Sequence, residues 1–418
     1  MSDAIVPQEL VHALGPDVSQ ETGRSAHVVF TGKRRDFFRL VRRGAMLELV
    51  TAGFYRFWLA TGMRRALWSG TSVDGDPAEY TGTAKELLIG FLFALAILAP
   101  IYLVYFLIGI EAERVKAFAS FPLVLFFYAF GQFAIFRARR YRATRTVWRG
   151  VRFWMSGSGW AYAWRAFWWS LFALLTLGLA LPWRESALER YKMRHLHYGD
   201  LQARFDGTGR DLFKQGIWLW LGLIVAIAFF LSIFFLPSRL ILFKRSAAVV
   251  LALSFVIALP FVYSIYKAIV WRWWINGIHI GEVWFKSDLD PADLMGVYWA
   301  TIGWGSLLVI ADGVAIGSFM TVVMIPLLTG GHANAAGFAQ AFREHPYLLI
   351  GANVLNYLVL GLCAGIISRV YLLREVWERV VTSATAHNLE CADNVQARGD
   401  LASALGEGFA DGLDVAGF

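Results

Sequence analysis

The chain has 418 residues, of which 57% are hydrophobic and only 17% charged, and its formal net charge is +8. Soluble domains carry about 25% charged residues, so this composition and several apolar runs longer than about 18 residues exclude an ordinary soluble protein and predict a polytopic membrane protein. Most Lys and Arg lie in connectors between the apolar runs, which is typical of membrane-orientation signals. Because this explains the positive charge, nucleic acid is not an expected partner.

One stretch of the chain occurs twice. Residues 51–88 align without a gap on residues 176–213, at a shift of 125 positions. The matched residues are Thr51, Gly53, Trp58, Arg65, Gly82, Thr83 and Leu87 in the first copy and Thr176, Gly178, Trp183, Arg190, Gly207, Thr208 and Leu212 in the second. Such self-similarity predicts that one structural unit is used more than once.

The first unit follows a polar leader, residues 1–26, which is predicted to be mobile and has no features of a cleavable signal peptide. Residues 36–68 look helical, but Arg42, Glu48 and Arg56 interrupt their apolar pattern. Each charge would cost about 2.5–3.5 kcal/mol near the centre of a spanning helix. A helix lying in the membrane interface is therefore the better interpretation.

Five apolar runs predict strong membrane spans, at residues 84–110, 117–136, 213–236, 247–271 and 347–368. Residues 160–182 place Trp160, Trp164 and Trp168 on one helix face and are interpreted, like residues 40–59, as interfacial or re-entrant. The run 295–328 is too long for a simple crossing. The expected number of spans is between six and eight.

The sequence therefore predicts an all-α polytopic membrane protein. Its internally repeated units each combine an interfacial or re-entrant helix with a transmembrane helical hairpin, and short cytoplasmic β-hairpins lie in the connectors. The predicted divisions are a leader at 1–26, repeat units at 27–159 and 160–293, a divergent membrane unit at 294–387 and a polar tail at 388–418.

The distribution of positive charge predicts the orientation of the units. If they are parallel, one side carries 17 Lys and Arg and the other 5; if the second is inverted, the split is 12 to 10. Because positively charged connectors stay in the cytoplasm, parallel units in a multi-pass inner-membrane protein are predicted. The 17 residues lie in connectors 62–84, 137–159, 184–212 and 271–292, and the 5 in connectors 111–116 and 237–245.

The sequence contains none of the common phosphate-binding, zinc-protease, paired-cysteine or serine-nucleophile motifs. Catalytic residues, cofactors and metal sites are therefore not predicted. Asp312 stands out because a carboxylate in an apolar run normally faces a bundle interior or a watery path. The alternative is that Asp312 marks a break between two half-helices near water. Asn353 and Asn356 share one helix face and either line the same path or bond across helices.

Three polar clusters have plainer interpretations. Residues 74–79 and 288–293 are near copies in which an Asp followed by Pro predicts a helix start, in preference to a divalent-cation site. His195 and His197 are interpreted as an interfacial patch and not as metal ligands. A basic cluster is predicted to contact anionic phospholipid headgroups, although orientation signalling alone explains its charge; its residues are Arg139, Arg140, Arg142 and Arg145.

Several short elements resemble the YjgN-like family of bacterial inner-membrane proteins (domain of unknown function 898). The elements are Gly32 with Phe37 and Phe38, the Thr-x-Gly-x-x-x-x-Trp stretches at 51–58 and 176–183, Trp148-Arg-Gly-Val-Arg-Phe153 and Gly406-Glu-Gly-Phe-Ala-Asp411. The copy at Thr51 departs from the usual form, since it has Phe57 where the second copy has Pro182. The resemblance implies an inner-membrane location and no particular activity.

Two functions remain open at this point. The first is transport or permeation of a small solute or lipid through a bundle with proline-broken spans. The second is a non-catalytic scaffold or regulator of envelope proteins, and an enzyme is the least expected class. The expected partners are the lipid bilayer with its anionic headgroups and either further copies of the chain or an envelope protein.

Overall fold

The computed structural model describes residues 23–111, 113–234, 241–319, 321 and 346–401. Within these residues ten strands form one closed antiparallel barrel. The strands are β1 (Ala26–Phe30), β2 (Thr71–Val73), β3 (Asp76–Tyr80), β4 (Thr146–Trp148), β5 (Val151–Met155), β6 (Leu196–Tyr198), β7 (Leu201–Phe205), β8 (Ile278–Ile280), β9 (Val283–Ser287) and β10 (Ala384–His387). Around the barrel each strand pairs with its sequence neighbours, and β1 pairs with both β2 and β10.

Helices connect the strands in pairs. They are α1 (Arg34–Val50), α2 (Arg56–Gly70), α3 (Ala84–Glu111), α4 (Glu113–Thr144), α5 (Gly159–Leu175), α6 (Leu181–Arg194), α7 (Gly209–Phe234), α8 (Ile241–Asn276), α9 (Pro291–Phe319), α10 (Pro346–Ile367) and α11 (Arg374–Thr382). A π-helical segment, Ser368–Leu373, joins α10 to α11, and a 3-10 helix, Leu389–Ala392, follows β10.

The order strand, helix, helix, strand recurs around the barrel, with α9 to α11 in the position of the last helix pair. Because neighbouring strands are antiparallel, every helix pair leaves and re-enters the barrel at the same end, here called the helix end. The tight turns between paired strands lie at the opposite end, here called the turn end. At two of these turns both central residues have positive φ, 54° and 85° at Asp74 and Gly75 and 47° and 75° at Arg149 and Gly150, as a two-residue hairpin of type I′ requires.

Alternate strand positions face the interior, as the pleat of a strand dictates. In β7, Ala203 and Phe205 are buried while Gln202 and Arg204 are exposed. A glycine follows the last inward aromatic ring of this strand, because a Cβ at Gly207 would lie 2.5 Å from the Phe205 ring. Tyr80 and Gly82 repeat the arrangement, with a Cβ 2.6 Å from the ring. The repeated glycines therefore allow the chain to turn tightly over an aromatic side chain into the next helix.

The helix pairs differ in length. The pairs α1–α2 and α5–α6 have helices of only 14 to 17 residues. Among the described residues, four helical stretches are long and apolar enough to cross a membrane, and all four belong to the other pairs. They are Ala84–Leu107, Gly209–Ser232, Pro291–Phe319 and Ile350–Thr382.

The predicted fold class is wrong in one major respect. The chain is not all-α with separate short β-hairpins, because the strands join into one closed barrel. Strands of three to five residues give little periodic signal, and the pair that closes the barrel, β1 and β10, is separated by more than 350 residues. The predicted helix start at residues 74–79 is also wrong, because Asp76–Tyr80 is strand β3, whereas Pro291 does begin α9.

Several stretches of the predicted layout lie wholly or partly outside the described residues. They are the leader at 1–22, the connectors 111–116 and 237–245, the end of the span 213–236, the end of the run 295–328 and the Gly406–Asp411 element of the tail.

Ion pairs hold α11 against the segment that joins β1 to α1, at the helix end of the barrel. Glu375 of α11 is buried and accepts from Arg34 of α1 at 2.7 Å and from Arg379 at 2.9 Å. Arg374, also buried, donates to the backbone oxygen of Gly32 at 2.6 Å and pairs with both Glu375 and Glu378. Charge-assisted hydrogen bonds therefore hold α11 against α1 and the residues that follow β1.

We expect Glu375→Gln to destabilise the protein strongly. It removes the negative charge that Arg34, Arg374 and Arg379 share, and breaking a buried ion pair costs about 3–5 kcal/mol. Glu378→Gln on the same helix is the control, because Glu378 is one-third exposed and should matter less. Thermal unfolding in detergent measures both, and equal midpoints for the two variants would contradict this account of the closure.

Candidate functional site

A cavity of about 680 Å³ occupies the barrel and its helix end. Inward-facing strand side chains form one part of its wall, among them Val73, Ala78, Phe153, Ile280 and Phe285, and helix residues form the rest. Ligand sites in proteins are concave, mostly apolar and a few hundred Å³ or more in volume. The barrel interior, here called the barrel cavity, therefore has the size and polarity of a small-molecule site.

Tryptophan rings from the helices cover the helix end of this cavity. Trp68 of α2 stacks on Trp377 of α11 with ring centres 4.9 Å apart. Each indole N–H donates to a threonine hydroxyl at 3.0 Å, from Trp68 to Thr146 and from Trp377 to Thr71. Trp271 and Trp274 of α8 also line the cavity. Because both indole N–H groups are satisfied by hydroxyls, the two rings add apolar surface to the cavity wall without an unsatisfied donor.

Three cations reach the same cavity from the helices. Among the described residues that line it, Arg139 and Arg142 of α4 and Lys192 of α6 are basic, and none is acidic. The guanidinium of Arg139 also lies 5.9 Å from the Trp274 ring centre. The helix end of the barrel cavity therefore has a positive potential beside an aromatic wall.

A buried carboxylate holds two of these cations in place. Glu189 of α6 accepts from Arg139 at 3.2 Å and pairs with Lys192, three residues away on the same helix. Glu189 and Lys192 have side chains about one-tenth exposed. Buried ions need partners to offset the loss of hydration, and here one carboxylate serves two cations. The cluster Arg139–Glu189–Lys192, here called the charge cluster, is therefore net positive at neutral pH.

The protonation of the charge cluster follows from its burial and its charges. Burial alone would raise the pKa of Glu189, but the positive charges of Lys192 and Arg139 outweigh it and lower this pKa to about 2. Burial lowers the pKa of the Lys192 amine, and the neighbouring Glu189 opposes that effect. Glu189 consequently stays ionised at any physiological pH.

A second cavity, of about 1000 Å³, begins at the charge cluster and continues between the helices. It shares Arg139, Lys192, Trp271 and Trp274 with the barrel cavity. Along α8 its wall runs from Trp274 to Leu259, which is about 22 Å at a rise of 1.5 Å per residue. This space, here called the vestibule, leads from the charge cluster along helices that extend towards the candidate membrane spans.

The turn end of the barrel is covered by the segment after β10. Leu389 and Ala392 are buried and line the barrel cavity. Asp393 then accepts from Arg24 at 2.6 Å and from Arg149 at 2.8 Å. These contacts fix the 3-10 helix over the strand turns, so the barrel cavity communicates with the vestibule at its helix end.

The predicted intramembrane polar residues lie away from these cavities. Asp312 is half-buried on α9, Asn356 is half-buried on α10, and Asn353 is exposed on α10. None of the three lines the barrel cavity or the vestibule. Their role in a polar path stays a prediction.

The predicted lipid-contact arginines have different surroundings. Arg139 and Arg142 line the barrel cavity, and Arg140 is half-buried on α4. Arg145 is buried and makes a two-pronged pair with Glu86, at 2.8 and 3.1 Å. Headgroup contacts by these residues stay a prediction, but Arg139 and Arg145 have protein partners.

His195 and His197 are engaged in ring contacts. The His197 ring stacks on Trp154 at 4.1 Å between ring centres, and His195 packs on Tyr191 at 4.4 Å. In the part of the chain described here, no group of three or more His, Cys, Asp or Glu residues is placed to hold a metal ion.

Sequence reasoning missed Glu189 and Lys192. Both lie in a stretch that looks like a polar connector, and only their spacing of three residues signals a pair on one helix face. Their burial comes from α4 and α8, which pack on α6 from other parts of the chain.

Comparison with known proteins relates the chain to bacterial membrane proteins. A family model described as "Bacterial protein of unknown function (DUF898)" matches residues 25–412. The inner membrane protein YjgN of Salmonella typhimurium (strain LT2) is 26% identical over 160 residues, which are 38% of this chain and 38% of that protein. The similarity thus covers well under two thirds of that relative. No solved structure matches the chain.

Glu189→Gln is expected to lower the thermal unfolding midpoint. The substitution leaves Lys192 and Arg139 buried without their counter-charge, at a cost of about 3–5 kcal/mol. Arg194→Gln is the matched control, since Arg194 is exposed on the same helix and surface changes usually stay within about 0.5 kcal/mol. A Glu189→Gln midpoint as high as that of the control would show that the charge cluster adds nothing to stability.

The cost of Glu189→Gln is also expected to shrink in acid. The pKa of Glu189 lies at about 2 in the fold, below its ordinary 4.5. Its stabilising effect is therefore complete above pH 4.5 and is lost as the pH falls towards 2. The measurement is the difference in midpoint between wild type and variant at pH 7, 4 and 3. A difference that widens on acidification would contradict the assigned pKa.

Proposed function

Since the chain belongs to the bacterial family DUF898, we propose that it is an inner-membrane protein that binds an amphiphilic anion. The apolar part of the ligand occupies the barrel cavity, and its acidic group lies beside Arg139, Arg142 and Lys192. The family resemblance predicted from the sequence is confirmed. The name of the relative, an inner membrane protein, supports the location.

The observation that carries this proposal is the juxtaposition of an apolar chamber with a positively charged mouth. Apolar side chains dominate the barrel cavity, and its three charged lining residues are all basic. A neutral apolar ligand would make no use of the excess of basic over acidic groups at the mouth, while a small hydrophilic anion would make no use of the aromatic wall. A molecule with an apolar body and an acidic head satisfies both.

The charge cluster suits an anionic head group because it contains two basic side chains and only one carboxylate. Glu189 neutralises one of Arg139 and Lys192, so the pair retains one positive charge towards the cavities. An arriving carboxylate or phosphate would meet donors that are already desolvated and fixed. Preorganised donors of this kind lower the ordering cost of binding.

The vestibule provides a route by which the proposed ligand can reach the barrel cavity. Its wall follows α8 from the charge cluster as far as Pro260 and Leu259, and α9 and α10 on its other side belong to candidate membrane spans. An amphiphile leaving the bilayer between these helices would reach the barrel without crossing bulk water. We propose movement of the ligand along this path, which makes the protein a carrier or permeation device for amphiphilic anions.

The proposed orientation places the barrel in the cytoplasm. The four connectors that contain the hairpins β2–β3, β4–β5, β6–β7 and β8–β9 carry 17 Lys and Arg, against 5 in the two connectors between the paired helices α3–α4 and α7–α8. The positive-inside bias assigns the hairpin-bearing side to the cytoplasm. The ligand would accordingly exchange with the cytoplasmic leaflet.

A substitution that fills the barrel cavity tests whether the ligand binds there. Ala78 faces the barrel cavity, and Glu79 beside it faces outward and is exposed. Ala78→Phe is expected to reduce photo-cross-linking by a diazirine-bearing palmitic acid about tenfold, because the added ring occupies the ligand volume. Glu79→Phe, with the same ring on the outside, should label like wild type. The methyl ester of the probe should label wild type more weakly, since it lacks the charge.

Identifying the cross-linked peptides shows where the probe binds. Labelled peptides from β3, β5 or α8 would support the proposal. Equal labelling of Ala78→Phe and wild type, or labels confined to outward faces of the helices, would reject a ligand in the barrel and favour the scaffold alternative.

A further inference from the structure

Two short helix pairs end in the same kind of turn. The α1–α2 pair turns through Thr51, Ala52 and Gly53, and the α5–α6 pair through Thr176, Leu177 and Gly178. The middle and last residues of both turns have positive φ, near 50° and 88°. These are the Thr-x-Gly positions of the repeated sequence. They do not line the barrel cavity or the vestibule.

Both turns provide acceptors for their own backbone N–H groups. In the second turn, Thr176 Oγ1 donates to the oxygen of Phe172 at 2.9 Å and accepts from the Ala180 N–H at 3.2 Å. Every backbone N–H from Thr176 to Leu181 has an acceptor within the hairpin. Water is therefore not needed at these donors, which is the condition for irregular backbone at membrane depth.

The first turn repeats this pattern. Thr51 Oγ1 donates to the oxygen of Leu47 at 2.7 Å and accepts from the Tyr55 N–H at 2.9 Å. The backbone N–H groups from Thr51 to Arg56 all have acceptors as well. The two turns thus have one hydrogen-bond plan.

The surfaces around the two turns are different. From Ala166 to Trp183 the second hairpin contains no charged residue, and its tip is highly exposed, with Leu174 at 73% and Leu177 at 85%. The first hairpin has a charge on each side of its turn, Glu48 and Arg56. Only the second hairpin therefore presents a continuous apolar tip without a partner among the described residues.

The dimensions of the second hairpin match half a bilayer. The helical rise from Trp168 to Leu177 is about 14 Å at 1.5 Å per residue, and the hydrocarbon core is about 30 Å thick. Exposed Trp160, Trp164 and Trp168 lie at its base, as in the aromatic belts of membrane proteins. The hairpin leaves the barrel at the same end as the candidate spans.

We propose that the α5–α6 hairpin enters the hydrocarbon of the barrel-side leaflet and ends near the bilayer midplane, while the α1–α2 hairpin stays at the level of the headgroups. Lipid acyl chains are the occupant of the exposed tip around Leu177. The Thr-x-Gly turn favours this placement, because it closes the hairpin without a backbone N–H group that requires water. The charge of Arg56, together with the ion pair that Glu48 makes with Arg369 at 2.9 Å, keeps the first hairpin shallower.

Depth-dependent quenching tests the proposal. Cys363 and Cys391 are first replaced by Ala, and a single cysteine is placed at Leu177 or at Ala52 and labelled with a nitrobenzoxadiazole fluorophore. The labelled proteins are reconstituted in phosphatidylcholine–phosphatidylglycerol vesicles with a spin label at acyl carbon 5 or carbon 12. The label at residue 177 should be quenched more by the carbon-12 label, and the label at residue 52 more by the carbon-5 label.

The opposite depth order, or free quenching of the residue 177 label by iodide, would overturn the proposal. These readouts do not depend on any ligand, so a failure here is separable from a failure of the proposed binding function. If the Leu177 variant does not fold, Leu174, one turn before the tip and also exposed, replaces it with the same expected order.

Substitutions of Thr176 provide a second test of the proposed insertion. Thr176→Val leaves the Ala180 N–H without its acceptor, whereas Thr176→Ser keeps a hydroxyl. In hydrocarbon the orphaned donor is costly, so the unfolding midpoint of Thr176→Val in vesicles should lie at least about 2–4 °C below that of Thr176→Ser. Equal midpoints would place the turn in water, which could replace the hydroxyl, and would contradict insertion of the tip.

Discussion

Closure of the barrel is the constraint on which the other features depend. β1 pairs with β10, Ala26 opposite Ala386 and His27 opposite Thr385, so no strand of the barrel keeps an open edge. The antiparallel order of the strands then determines at which end of the barrel the connecting helices lie. Each pair must begin and end at the helix end, and helices that belong to distant parts of the chain converge over one opening. The site is a result of this convergence, because no single helix pair contributes all of its walls.

The convergence also explains why charged groups are found in such an apolar protein. Where α4, α6 and α8 meet at the opening, Arg139, Glu189 and Lys192 are withdrawn from water together. Such a cluster is a weak source of net stability, since desolvation offsets much of the attraction. Its position between an apolar chamber and a helix-lined passage is consistent with the proposed role of distinguishing ligands by charge.

Local sequence patterns predicted the elements that depend on composition. The apolar runs at residues 84–110 and 213–236 overlap candidate spans, and the family resemblance is confirmed. The barrel could not be predicted in this way, because its strands have three to five residues and their register depends on contacts between distant parts of the chain. Residues 74–79 and 288–293 show the same limit, since one Asp-Pro motif lies in a strand and its near copy begins a helix.

The pairing of the first strand with the last has a consequence for biosynthesis. β1 is complete once residue 30 has been made, yet its partner β10 is translated only about 350 residues later. At about 5–20 residues per second, the interval is roughly 20–70 s. Throughout that time one edge of the nascent sheet has no partner strand. All the helices between β1 and β10 are therefore synthesised before the barrel can close.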